Sequence, residues 1–174
     1  MKTKSRDMAQ IAMFAAITAL SAWITVPSYV PFTMQTFAIF LAAGVLGTKK
    51  AVLAVSVYIL LGVLGLPVFS GGRAGVGVIF AETGGYIMGF LPAVYLCGKL
   101  NQKIRCRHSM FLAMLSGLFV VYICGILWFW LVYSANTKFL IVVSGVFPFV
   151  IPDLIKIALA TVVAGQLKRR TNLF

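Results

Sequence analysis

Asp153 and Lys156 stand three residues apart in Ile151-Pro152-Asp153-Leu154-Ile155-Lys156-Ile157, inside an apolar run from Phe139 to Leu167. On a helix that spacing puts both side chains on one face, about one turn apart. Each charge at the centre of a lipid-facing helix costs roughly 2.5–3.5 kcal/mol, so the two face protein or a cavity. Pro152, just before them, removes a backbone donor and leaves a carbonyl free in the same turn. The pair is either a buried ion pair that fixes helix register or the polar end of a binding site.

The elements that must position this pair are membrane helices. Of the 174 residues 61% are hydrophobic and 10% charged, against about 25% charged in soluble domains. The chain is therefore expected to be a single all-α integral membrane domain over residues 1–174, surrounded by lipid. Its length accommodates about six spans with short connections. The net charge of +12 comes from small basic clusters between apolar runs, a placement that speaks of topology and not of a nucleic-acid partner. Cys97, Cys106 and Cys124 have no metal-ligand spacing, and His108 beside Cys106 is too little for zinc. No metal or cofactor is expected. With three acids, one histidine and no nucleophile–base pair, the chain is not expected to be an enzyme.

Breakers and basic clusters divide the chain into spans at about 8–26, 32–47, 51–66, 86–100, 110–133 and 139–167. The first, although preceded by Lys2, Lys4 and Arg6, is longer than a signal-peptide core and is expected to be retained. Pro27 and Pro31 break it. The second starts with Thr33, Gln35 and Thr36, which point into the protein, and Lys49-Lys50 closes it. Between the third and fourth spans lies Val68–Gly85, with six glycines and interleaved Val, Ile and Phe, expected as a loop folded back on the protein. It lacks the Lys-Ser or Lys-Thr of a phosphate-binding P-loop. Pro92 interrupts the fourth span, and Ser134–Lys138 joins the last two.

Basic residues mark the cytoplasmic flanks of membrane helices. With six spans and both termini inside, all Lys and Arg fall in the cytoplasm except Arg73 and Lys138 outside and Lys156 within the membrane. The expected location is the cell membrane, crossed several times. Asp153 lies fifteen residues before Lys168, about 22 Å at about 1.5 Å per residue, which is the outer half of a core about 30 Å thick. The glycine-rich loop and the Pro27–Gln35 corner belong to the same side.

These features imply an outward-facing, mostly apolar cavity. Its polar groups are Asp153 and Lys156 at depth, Gln35 and Thr33 at a helix start, Arg73 and Thr83 in the loop, and Tyr86 where the fourth span begins. Such a lining suits a small amphiphile with a compact hydrogen-bonding head, an aliphatic body and an anionic end. A proton-coupled permease using Asp153 and Lys156 as its relay is the alternative, although the inner halves of the spans are bare of polar residues. On the first helix Ala9, Ala12, Ala16 and Ala19 recur at spacings of three and four. Small residues let helices approach closely in lipid, so this series either packs within the bundle or docks another membrane subunit.

Four ordered motifs, Pro31-Phe32-Thr33-Met34-Gln35-Thr36, Gly65-Leu66-Pro67-Val68-Phe69-Ser70-Gly71-Gly72, Thr83-Gly84-Gly85-Tyr86 and Pro152-Asp153-Leu154-Ile155-Lys156, carry a resemblance over about Met8–Lys168. In these the chain resembles the BioY family, the biotin-specific substrate-binding (S) components of energy-coupling factor (ECF) transporters. The resemblance implies a six-helix S component whose Asp153 and Lys156 contact the ureido ring of biotin, under a loop between the third and fourth helices. A ureido ring has two N–H donors and a carbonyl acceptor, which a carboxylate and an ammonium match. It also implies that Ala9–Ala19 docks a transmembrane coupling subunit, itself joined to ATPase subunits, and it leaves an S component for another vitamin as an alternative. Ala81-Glu82-Thr83 departs from the family's common Gly-Pro-Thr, and Arg73 is not basic in every member. Arg73 is then either paired with Glu82 or a ligand for the biotin carboxylate.

Overall fold

Past its first turn the segment Gln35–Leu46 is apolar on every side, and a helix with that pattern is stable only when it is surrounded. In the computed structural model it is the axis of the bundle. The structure describes residues 2–26, 32–103, 107–133 and 139–171. The expected break at Pro27–Pro31, Cys106 and the connection Ser134–Lys138 lie outside the described residues, as does the side chain of His108. Among the described residues the order is α1 (Lys2–Trp23), β1 (Thr25–Val26), β2 (Phe32–Thr33), α2 (Gln35–Leu46), α3 (Thr48–Val63), the single turn α4 (Gly77–Phe80), α5 (Gly84–Lys103), α6 (Arg107–Tyr133) and α7 (Phe139–Thr171). Helix α2 packs against α1, α3, α5, α6 and α7. Residues Ala38–Leu46 are all buried in that ring.

Among the described residues two helices, over Ser109–Val132 and Val146–Arg170, are long and apolar enough to cross a membrane by themselves. In α7 the apolar residues Phe147, Ile151, Ile155 and Leu159 recur every fourth position and are exposed, Ile151 at 70%. Asp153 and Lys156, on the opposite face, are each 4% exposed. The helix thus turns its charges into the bundle and its aliphatic side outward. It runs continuously through Pro148 and Pro152.

Several local expectations are corrected. The chain is not wholly α, because β1 and β2 pair antiparallel, with Thr25 opposite Thr33. Lys49 and Lys50 do not close α2 but lie in the first turn of α3, since Gly47 alone, at φ +74°, joins the two helices. Lys50 Nζ then reaches Asp7 Oδ1 at 2.5 Å and Gln10 Oε1 at 3.1 Å, tying α3 to α1. Pro92 does not interrupt α5, which is continuous from Gly84 to Lys103. That helix is held against α6 at very short range, since a Cβ on Gly85 would lie 2.2 Å from Trp128 Cβ.

The glycine-rich segment is folded against the bundle. Phe69 is fully buried in a slot over Gly62, where a Cβ would fall 2.2 Å from its ring, and it meets Tyr58 edge to face at 5.7 Å. The Gly75 amide donates to Gly62 O at 2.7 Å. Three side chains fasten the segment to its neighbours. Trp23 Nε1 donates to Pro67 O at 3.0 Å, Thr25 Oγ1 and Ser70 Oγ lie 3.3 Å apart, and Trp128 Nε1 donates to Ala81 O at 3.1 Å.

Candidate functional site

The i, i+3 spacing in α7 brings Lys156 Nζ to 2.8 Å from Asp153 Oδ1, with side chains only 5% and 6% exposed. Burial at this level requires that the remaining donors and acceptors be satisfied as well. Strand β2 and the start of α2 do much of this. Lys156 Nζ donates to Thr33 O at 2.5 Å and lies 3.3 Å from Thr36 Oγ1. Its ammonium also stands 3.3 Å from the centroid of the Phe32 ring, a cation–π contact, and that ring stacks on Phe149 at 5.5 Å. Thr36 Oγ1 donates to Asp153 Oδ1 at 3.1 Å. Tyr122, from α6, donates to Asp153 Oδ2 at 2.6 Å.

A second polar group adjoins the pair. Thr33 Oγ1 donates to Gln35 Oε1 at 2.8 Å, and the Gln35 amide nitrogen donates to the Tyr58 hydroxyl. Tyr58 in turn is held by the buried Phe69 of the glycine-rich segment. The loop, α3 and the start of α2 are therefore coupled through packed side chains.

Above these groups opens a cavity with a free volume of about 620 Å³, its mouth included. Phe32, Ile87, Phe90, Val121, Val146 and Phe149 make apolar walls. Asp153, Lys156, Gln35, Thr33, Thr83 and Tyr86, all expected from the sequence, line it together. Arg73 does not line it. Its guanidinium stands behind two residues that do, with Nε 3.2 Å from Ser70 O and Nη2 3.5 Å from Thr83 Oγ1. Among the described residues the ion pairs are Asp7–Lys50 and Asp153–Lys156, so Arg73 is not paired with Glu82.

Sequence reasoning missed Tyr122 and Thr36 as partners of the carboxylate. Thr36 is expected to point into the protein with Thr33 and Gln35, and its polar place in that first turn is the signal for the bond to Asp153. Tyr122 is a lone polar tip in a long apolar span, and only packing reveals that it turns inward. Away from the cavity, Ala9, Ala12 and Ala16 are exposed on α1 and Ala19 is half-buried, whereas Ala15 and Ala22 are buried in the bundle.

A helical bundle with long outward apolar faces around a cavity with one polar end defines a small-molecule-binding membrane protein. The profile of the BioY family matches residues 1–172, and the chain belongs to that family. It is 37% identical over 169 residues to a Pyrococcus horikoshii protein named "Probable biotin transporter BioY", covering 97% of this chain and 99% of the relative. It is also 37% identical over 165 residues to the "Biotin transporter BioY" of Thermotoga maritima, covering 94% and 96%. In fold it matches the crystal structure of the S-component for biotin from an ECF-type ABC transporter, with a TM-score of 0.90 and 24% identity over 97% of this chain and 94% of that one.

Proposed function

We propose that this protein is the biotin-capturing S component of an ECF-type uptake system. It crosses the plasma membrane six times with both termini in the cytoplasm, and the glycine-rich segment between α3 and α5 lies outside. Biotin enters the cavity from outside and is delivered inward with a transmembrane coupling subunit and ATPase subunits. The observation that carries this reading is the buried Asp153–Lys156 pair at the polar end of an apolar cavity, in a chain whose relatives are named for biotin transport. The carboxylate accepts a ureido N–H, the ammonium balances its charge, and the aromatic and aliphatic walls enclose the rest of the ligand. Arg73, behind Ser70 and Thr83 at the loop, serves the valerate carboxylate. The exposed Ala9, Ala12 and Ala16, with Ala19 at their edge, give α1 a shallow surface on which the coupling subunit docks.

The test is equilibrium binding of labelled biotin to purified wild-type and Asp153→Asn protein in detergent, competed with desthiobiotin, thiamine and riboflavin. Binding displaced by desthiobiotin alone, and weakened at least about tenfold in the variant, is expected. Displacement by thiamine or riboflavin would assign a different vitamin, and absence of biotin binding to folded wild-type protein would reject the assignment. Arg73→Ala should weaken biotin more than biotin amides, and equal losses would remove Arg73 from the site.

A further inference from the structure

Hydrogen-bond accounting at the polar end of the cavity leaves two openings. A carboxylate accepts about four hydrogen bonds. Asp153 receives two at Oδ1, from Lys156 and Thr36, but only one at Oδ2, from Tyr122. Lys156 has three N–H donors, and Thr33 O, Asp153 Oδ1 and Thr36 Oγ1 already engage them. The pair can thus take a further N–H on Oδ2, but it has no uncommitted donor for a carbonyl oxygen.

The second opening supplies that donor. Among the described residues Tyr86 OH is the one buried side-chain polar atom of the cavity lining with no hydrogen-bond partner. Buried hydroxyls are ordinarily paired, so one left free at a ligand cavity marks a group that the ligand completes. Tyr86 is also fixed in place. Its ring lies against Gly125 of α6, where a Cβ would fall 2.2 Å from it. Gly125 is one helical turn from Tyr122, the residue that binds Asp153 Oδ2. The two tyrosines, from α5 and α6, therefore approach the same end of the cavity.

We infer that the Tyr86 hydroxyl reads the carbonyl oxygen of the ligand's cyclic urea, while Asp153 Oδ2 accepts an adjacent N–H. This deepens the biotin assignment and rests on it. Head-group selectivity is then divided between two helices, with α7 testing for a donor and α5 for an acceptor. A ring with N–H groups but a poor acceptor in place of the carbonyl oxygen satisfies only the first.

The experiment compares biotin with 2-thiobiotin, whose sulfur is a weak acceptor, on wild-type and Tyr86→Phe protein. Wild type should prefer biotin by about tenfold. In Tyr86→Phe biotin should weaken by about that factor while 2-thiobiotin changes less than about twofold, so the preference collapses. The ligand-free melting temperature should be unchanged or higher, because an unpaired buried hydroxyl has been removed. Gly125→Ala, which displaces the ring and leaves the hydroxyl intact, is the second variant and should flatten the same ratio. An unchanged biotin-to-thiobiotin ratio in Tyr86→Phe, or equal losses for both ligands, would overturn the inference and leave the biotin assignment standing. Folded wild-type protein that binds neither ligand would overturn both.

Discussion

Among the described residues the two ion pairs of this chain have similar geometry and opposite surroundings. Lys50 and Asp7 meet at 2.5 Å with side chains 30% and 44% exposed, and Lys156 and Asp153 meet at 2.8 Å with side chains 5% and 6% exposed. The exposed pair joins two helices, gains Gln10 as a third member and remains open to solvent and salt. Such pairs contribute about 0–1 kcal/mol. The buried pair joins residues of a single helix, and holding two charges out of water costs several kcal/mol per ion unless other groups complete their hydrogen bonding. Here Thr33, Thr36 and Tyr122 do so from three other elements. The separation between charges thus says little about what a pair does, and the groups around it say much more. The outer pair is a surface strap, and the inner one is a preassembled polar surface.

The sharpest way to break this contrast is to remove one member of the buried pair. Lys156→Met should destabilise the protein by about 3–5 kcal/mol, because it strands a buried carboxylate, and should abolish biotin binding. Thermal unfolding in detergent and ligand titration measure the two losses. The double variant Asp153→Leu/Lys156→Met should recover most of the stability and none of the binding, since an apolar pair needs no compensation. Recovery of binding in that variant would show that the charges are structural. Tyr122→Phe leaves both charges in place but takes one hydrogen bond from Oδ2, and biotin should weaken by roughly tenfold with about 1–2 kcal/mol of stability lost. At the other pair Asp7→Asn should cost less than about 1 kcal/mol, an effect that fades as salt is raised, and should leave biotin affinity unchanged. A binding defect in Asp7→Asn would tie the strap to the site and erase the distinction.

Much of this arrangement was legible in the sequence, because long apolar runs and glycine or proline breakers locate the long helices within a few residues. The spacing of Asp153 and Lys156 placed both on one face, and Thr33, Gln35, Thr83 and Tyr86 were recognisable as polar residues out of keeping with lipid. What escaped depends on relations that a linear pattern does not carry. Tyr122 meets Asp153 across 31 positions, and nothing in the apolar run of α6 indicates which way it turns. Arg73 and Glu82 are near enough in sequence to suggest a pair, yet the glycine-rich backbone directs the guanidinium to Ser70 and Thr83. Lys49-Lys50 looked like an ending because basic residues flank membrane spans. A single glycine with positive φ makes the joint there, so the same two lysines begin the next helix. Pro92 looked like an interruption, but close packing of α5 on α6 holds the helix through it.

The indole groups of Trp23 and Trp128 donate to Pro67 O and Ala81 O, one toward each end of the glycine-rich segment. Of the three tryptophans in the chain, two therefore have emission that depends on whether that segment is in place. The protein carries its own optical probe of the segment's movement. In a Trp130→Phe background the fluorescence spectrum reports those two contacts alone, and stopped-flow mixing with biotin would time their making and breaking without any attached dye.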